Sequence, residues 1–142
     1  VIEGAIDFSL VRDRHKDVDV DVLLESGLCR VSVDPIQVQQ VLLNLIRNSA
    51  EAMAGRKNKR IEVVARAIGS RMVEVRVSDT GPGLPPHVAR HVFEPFNTTK
   101  TDGMGVGLAI CRTIIESHGG TIRYFAGTAG ANFLFTLRRA DA

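Results

Sequence analysis

Cysteine is scarce in this sequence of 142 residues and occurs only at Cys29 and Cys111. The two positions are far apart and neither belongs to a CxxC pair, which argues against a disulfide framework and against a cysteine-ligated metal site. We therefore expect both to be small core residues of a protein in a reducing compartment, with a cytoplasmic location.

Long apolar runs are also missing. No stretch approaches the ~20 residues that cross a bilayer, and no charged-then-apolar leader opens the chain. We expect no direct membrane contact, and we expect Val1 to be a cut within a longer protein whose own anchoring stays open. With 44% apolar and 24% charged residues, a chain of this length can bury one core without metal or disulfide support. A single domain spanning residues 1–142 is predicted.

The sequence also lacks a strong excess of charge of one sign. Eighteen Lys and Arg against sixteen Asp and Glu leave a formal net charge of +2, too small and too evenly spread for a nucleic-acid footprint. The basic run at residues 56–60 lies between two predicted elements and is interpreted as solvated loop charge. We expect no nucleic-acid partner.

Alternation of apolar and polar residues predicts seven strands. They cover residues 5–11, 17–24, 28–33, 60–68, 71–78, 121–125 and 132–138. The second and third strands are predicted to be joined at Ser26 and Gly27. The fourth and fifth form a hairpin around Gly69 and Ser70, and the hairpin delivers its second strand directly into Asp79.

Apolar residues at helical spacing predict two long helices. The first follows Asp34, an N-cap, and Pro35, a typical first helical residue, and runs to about residue 54. The second covers residues 107–118 and ends at the glycine pair 119–120. Its expected buried side comprises Leu108, Ile110, Cys111, Ile114 and Ile115.

A polar stripe also follows the first helix at spacings of three and four. It consists of Gln37, Gln40, Asn44, Asn48 and Glu51. One interpretation is that these side chains only cover the solvent side. The other is a metal site, because the amide oxygen of Asn44 or Asn48 is a hard, neutral ligand that can take one position on Mg²⁺ while phosphates and waters fill the rest.

A DxGxG sequence at residues 79–83 lies where the fifth strand ends. Gly81 and Gly83 permit the close approach of a flat ligand, and the carboxylate of Asp79 can only accept hydrogen bonds. Such an acceptor suits the amino group of adenine and rejects the carbonyl of guanine. Taken alone, the motif is weak, and an ordinary Asp-Gly turn is the better interpretation of it.

Three alternate glycines, Gly103, Gly105 and Gly107, open the second long helix. Their backbone N–H groups and the positive helix end can face phosphate oxygens, with a flexible hinge as the alternative. No GK[ST] follows, so this is not a P-loop, and the spacing is not that of a dinucleotide fingerprint. The Gly, Pro and Thr-rich segment before it contains a short helical stretch near residues 87–93. Its length predicts a functional lid at about residues 84–104.

In this order, the motifs resemble the N, G1, F, G2 and G3 boxes of sensor histidine kinases, and most of all the oxygen- and nitrogen-sensing branch. The boxes are NLIRN at 44–48, DTGPG at 79–83, FEPFNTTK at 93–100, GMGVGL at 103–108 and the glycine pair at 119–120. The resemblance implies the Bergerat ATP-binding fold. That fold is an α+β two-layer sandwich with a mixed, mostly antiparallel sheet, about three helices on one face and a mobile ATP lid.

The resemblance implies a role for each matching residue. Asn48 is expected to be the principal Mg²⁺ ligand, and Asn44 to lie near the metal and the phosphates. Asp79 is expected to bind the adenine amino group in a pocket shaped by Gly81 and Gly83. No residue is assigned as catalytic.

The remaining expected contacts come from the lid and the second long helix. Lys100 is expected to neutralise phosphate charge, while Phe93 and Phe96 anchor the lid by packing. The residues expected along the triphosphate are Gly103, Gly105, Val106, Gly107 and Leu108. Two departures are noted: Glu51 replaces a common Lys or Arg, and Asn132 stands where the last strand often carries Thr near the water network of Asp79.

The implied function is transfer of the γ-phosphoryl group of ATP to a histidine on a separate dimerisation domain of the parent kinase, and indirectly to a response regulator. The isolated domain is expected to be a monomer. An acidic residue follows the family's acceptor histidine, but none follows the histidines here. These are His15, His87, His91 and His118, and we assign them no chemistry and expect them at the surface.

Three rival functions share the fold. The related gyrase, MutL and Hsp90 ATPases place a water-activating Glu four residues before the metal-binding Asn, whereas Asn44 is an amide that cannot act as a base. An anti-sigma-type serine/threonine kinase resembles the same boxes, but the FxPFxTTK lid favours the histidine-kinase branch. A nucleotide-binding module without catalysis is the third alternative.

Overall fold

The computed structural model describes residues 3–4, 19–24, 31–32, 34–53, 55, 59–83, 86–94, 107–126 and 130–138. Strands and helices follow one another along these residues. They are β1 Glu3–Gly4, β2 Asp19–Leu24, β3 Val31–Ser32, α1 Pro35–Ala52, β4 Arg60–Ile68, β5 Met72–Asp79, α2 Pro86–Ala89, α3 Gly107–Ser117, β6 Ile122–Ala126 and β7 Ala131–Arg138. The predicted strand at residues 5–11 lies outside the described residues. No helix in the described ranges is long and apolar enough to span a bilayer.

Five strands form the main sheet, in the order β2-β4-β5-β7-β6. β2 and β4 are parallel, and the other three neighbouring pairs are antiparallel. β1 and β3 form a separate antiparallel pair. The predicted mixed, mostly antiparallel sheet is therefore confirmed. β2 and β3, which follow one another in the chain, pair with different strands: β2 with β4 and β3 with β1.

The β4–β5 hairpin has one apolar, buried face and one polar face. Gly69, with φ of 63°, supplies the left-handed residue of the turn. Side chains alternate along both strands, and the apolar set is buried on one face. This inner face comprises Ile61, Val63, Ala65, Val73, Val75 and Val77, joined by Phe133, Phe135 and Leu137 of β7. The opposite face carries ion pairs such as Arg66 with Glu74, at 3.0 Å.

The two long helices pack on the inner face and complete the second layer. α1 buries one apolar stripe, which consists of Val38, Val41, Leu42, Leu45 and Ile46. α3 buries Cys111, Ile114 and Ile115. The expectation for Ile110 is wrong, because it lies about 100° around the helix from Cys111 at the margin of the stripe and is 43% exposed. The two-layer α+β prediction is confirmed.

The start of α1 is tied to the end of α3. The carboxylate of Asp34 caps α1 by accepting hydrogen bonds from the N–H groups of Ile36 and Gln37. The N–H of Asp34 donates to Nε2 of His118 at 3.0 Å, and Nδ1 of that ring lies 2.7 Å from the carbonyl oxygen of Ile114. Because Nε2 accepts, Nδ1 carries the proton and donates. His118 therefore joins two helices, and is not the surface residue that the sequence suggested.

Candidate functional site

Asp79 is the last residue of β5 and is almost fully buried, with 7% of its surface exposed. Its Oδ1 accepts hydrogen bonds from the N–H of Gly81 at 2.8 Å and of Ala131 at 3.3 Å. Its Oδ2 is buried and has no hydrogen-bond partner among the described residues. A buried oxygen that lacks a donor is costly. The arrangement therefore provides a fixed acceptor for a donor group of a ligand.

Gly130 and Ala131 support Asp79 from the adjacent strand, and the sequence prediction missed both. A Cβ at Gly130 would lie 2.0 Å from the carbonyl oxygen of Asp79, so only glycine permits this approach. Asn132, the departure from the family pattern in the last strand, has its hydrogen bond on the other side of the sheet from Asp79. Its side chain accepts a hydrogen bond from Ser78 at 2.6 Å, because alternate residues of a strand face opposite sides of the sheet. A glycine directly before the last strand was the available signal.

The turn after Asp79 rests on the end of α1. Gly81 is buried, and a Cβ there would lie 2.9 Å from Cγ of Met53, the residue that caps α1 at its C-terminal end. The hydroxyl of Thr80 donates to the sulfur of Met53 at 3.4 Å. Gly83 follows with φ of 76°. These contacts fix the DxGxG turn relative to the helix that carries the two asparagines.

Asn44 connects α1 to the first residue of α3. Its Nδ2 donates to the carbonyl oxygen of Gly107 at 3.2 Å, and its Oδ1 accepts from Nη2 of Arg47 at 2.7 Å. A Cβ at Gly107 would lie 3.1 Å from that same Oδ1. The thiol of Cys111 also makes a hydrogen bond with Asn44, while burial raises the pKa of Cys111 to about 12. Asn44 therefore acts as a contact between helices in this structure.

Asn48 lies one turn further along α1 and is half-buried. Its Nδ2 donates to the backbone carbonyl oxygen of Asn44 at 2.8 Å. Within the described part of the chain, no three His, Cys, Asp or Glu side chains are grouped to hold a metal ion. The donor chemistry of Asn48 fits Mg²⁺ that takes its other ligands from phosphates and water.

Some of the remaining predicted residues lie within the described ranges and the others lie outside them. Gly107 and Leu108 form the first turn of α3, with Leu108 packed against the core. Phe93 packs edge-on against Phe133, with ring centroids 6.2 Å apart, as expected for an anchor. The residues outside the described ranges are Phe96, Lys100, Gly103, Gly105 and Val106.

Comparisons with known proteins give one consistent result. The profile of the family described as "Histidine kinase-, DNA gyrase B-, and HSP90-like ATPase" matches residues 33–141. The chain is 44% identical to the sensor protein FixL of Bradyrhizobium diazoefficiens, over 99% of this chain and 28% of the relative. It is 40% identical to the C4-dicarboxylate transport sensor protein DctB of Rhizobium meliloti, over 99% of this chain and 22% of the relative. The chain thus spans about a quarter of the length of such curated relatives.

Solved structures agree in fold. The catalytic domain of histidine kinase ThkA superposes with a TM-score of 0.80 at 33% identity, over 93% of this chain and 87% of that one. Full-length ShkA in complex with AMPPNP gives 0.74 at 28% identity, over 97% and 32% of the two chains. A complex of ThkA with the response regulator protein TrrA gives 0.76 at 30% identity, over 94% and 38%.

Proposed function

The chain belongs to the family of histidine kinase-, DNA gyrase B- and HSP90-like ATPases, and from this premise we propose that it is the ATP-binding catalytic domain of a two-component sensor histidine kinase. Its proposed reaction is transfer of the γ-phosphoryl group of ATP to a histidine on a separate dimerisation domain of the parent protein. The phosphoryl group then passes to a response regulator.

The buried oxygen of Asp79 is the observation that carries this proposal. Oδ2 has no donor among the described residues, whereas Oδ1 is held by two backbone N–H groups. The carboxylate is therefore fixed in position before any ligand arrives, and its vacant acceptor complements the exocyclic amino group of adenine. Guanine would present a carbonyl oxygen there, and two acceptors repel each other. The proposal thus includes selection of ATP over GTP.

The phosphates are proposed to lie between α1 and the start of α3. Asn48 would hold Mg²⁺, which supplies charge neutralisation at the phosphates. The N-terminal end of α3, beginning at Gly107, offers backbone N–H groups to phosphate oxygens. We include Lys100 and the glycine-rich residues 103–106 in the same site, and residues 84–104 as a lid that covers it.

Transfer is favoured over hydrolysis by what occupies position 44. A water-activating base needs a group that can accept a proton, and the amide of Asn44 cannot do so. The amide is also engaged on both sides, by Gly107 and by Arg47. Catalysis would then consist mainly of positioning and charge stabilisation, as is general for phosphoryl transfer.

The test uses radiolabelled ATP, Mg²⁺ and the histidine-bearing dimerisation segment of the parent protein added in trans. We expect label on that segment that is stable to base and labile to acid, as phosphohistidine is, and no label on the catalytic chain alone. Asn48→Ala should abolish transfer. Acid-stable label on Ser or Thr of a partner would instead support the anti-sigma type of kinase. ATP binding with no transfer to any histidine segment would support a non-catalytic module.

A further inference from the structure

Arg47 lies on α1 between the two asparagines of the proposed site. Its Nη2 donates to Oδ1 of Asn44 at 2.7 Å, and Asn44 in turn donates to the carbonyl oxygen of Gly107. The guanidinium is thereby held beside the first residue of α3. Its side chain is exposed, so its remaining N–H donors are accessible to a ligand at the start of α3.

The guanidinium of Arg47 contacts an amide, whereas three other described arginines contact carboxylates. Arg60, Arg66 and Arg76 each lie within 4 Å of a carboxylate, at 3.3, 3.0 and 3.7 Å. No ion pair joins Arg47 to a carboxylate within the described ranges. Its contact is a neutral amide oxygen, which orients the guanidinium without neutralising it. A guanidinium carries five N–H donors in a planar fork that matches a phosphate group.

The charges on α1 also favour phosphate binding by Arg47. A triphosphate brings several negative charges and is bound best where a cation is available. Among the residues 44–51 that carry the asparagines, Arg47 is the cation. The exposed face of α1 therefore offers positive charge to the phosphates at position 47.

We propose that Arg47 binds phosphate oxygens of ATP and that Asn44 positions its guanidinium. This inference rests on the proposed ATP site. It keeps Asn48 as the principal metal ligand of the proposed site. Asn44 then affects nucleotide affinity through the guanidinium that it orients.

The experiment compares binding of Mg·ATP and of adenosine by calorimetry and NMR titration. Arg47→Gln removes the charge and keeps a good helix former. We expect it to weaken ATP binding by about 10- to 100-fold, as for the loss of a charge-assisted hydrogen bond, and to leave adenosine binding within about twofold. Arg66→Gln is the matched control, because it makes the same charge change on the outer face of the sheet. It should leave both affinities unchanged.

Asn44→Ala tests the positioning role. If Asn44 acts through Arg47, the double variant should bind ATP little more weakly than Arg47→Gln alone, since coupled residues are not additive. Equal loss for adenosine and ATP in Arg47→Gln would show a structural role and overturn the inference. So would an ATP affinity that matches that of Arg66→Gln. Failure of the wild-type protein to bind either ligand would instead refute the proposed function.

Discussion

Asp79→Asn is the most direct test of the adenine site, because it replaces one oxygen atom of the carboxylate with an NH₂ group. Oδ1 keeps the two backbone donors, Gly81 and Ala131, while the buried Oδ2 becomes an NH₂ group. An acceptor that faces the adenine amino group is replaced by a donor. The side chain keeps its size, so the packing of the site is retained.

The expected effects on stability and on binding are of very different size. Without nucleotide, the free energy of unfolding should change by no more than about 1 kcal/mol, because relief of a buried charge offsets the weaker hydrogen bonds at Oδ1. With ATP, the variant loses a charge-assisted hydrogen bond and leaves a donor unsatisfied. The two losses together amount to about 3 kcal/mol or more, which is at least roughly 100-fold in affinity.

Thermal unfolding measures both effects. ATP at 100 times the wild-type Kd stabilises the wild-type protein by about 2.7 kcal/mol, which corresponds to a Tm increase of roughly 5 to 15 °C for a domain of this size. The same concentration should stabilise the variant by only about 0.4 kcal/mol. GTP should protect the wild-type protein little. Wild-type protection by GTP equal to that by ATP, or full ATP protection of the variant, would refute the adenine assignment.

Three further predictions concern other parts of the molecule. Gly130→Ala should lower the free energy of unfolding in urea by about 2 kcal/mol or more, because its Cβ would lie 2.0 Å from the carbonyl oxygen of Asp79. Gly55→Ala is the control: Gly55 has a φ of 84° but open space around it, so this variant should show only the backbone cost of about 1 kcal/mol. Cys111, whose pKa burial raises to about 12, should resist iodoacetamide at pH 8 in the native protein and react once unfolded, since the thiolate is the nucleophile; fast native alkylation would contradict its burial. The proposed lid at residues 84–104 should gain hydrogen-exchange protection when Mg·ATP binds; equal exchange with and without nucleotide would argue against it.

Local signals in the sequence predicted the elements that depend on neighbouring residues. The Asp34 cap and the following proline defined the start of α1, and Gly69 defined the β4–β5 turn. The same hairpin placed Asp79 at the end of a buried strand. These features are determined within a few residues by turn chemistry and by the period of the apolar residues.

Contacts between distant segments could not be predicted in this way. The N–H of Ala131 reaches Asp79 from 52 positions away, and His118 meets Asp34 across 84 positions. The exposure of Ile110 depends on how α3 is rotated against the sheet, and the bond from Asn44 to Gly107 depends on how α1 meets α3. Sequence spacing reports which residues share a helix face, but not what lies opposite that face.

The parallel pairing of β2 with β4 has a consequence for where the domain can be shortened. β2 hydrogen-bonds to one side of β4 from Arg60 to Ala65. A chain that began at residue 33, where the family profile begins, would lack β2 and would turn the nine-residue β4 into an edge strand. An uncovered edge presents unpaired N–H and C=O groups that recruit strands of other molecules. We therefore expect such a shortened chain to self-associate, even though every proposed nucleotide contact is retained.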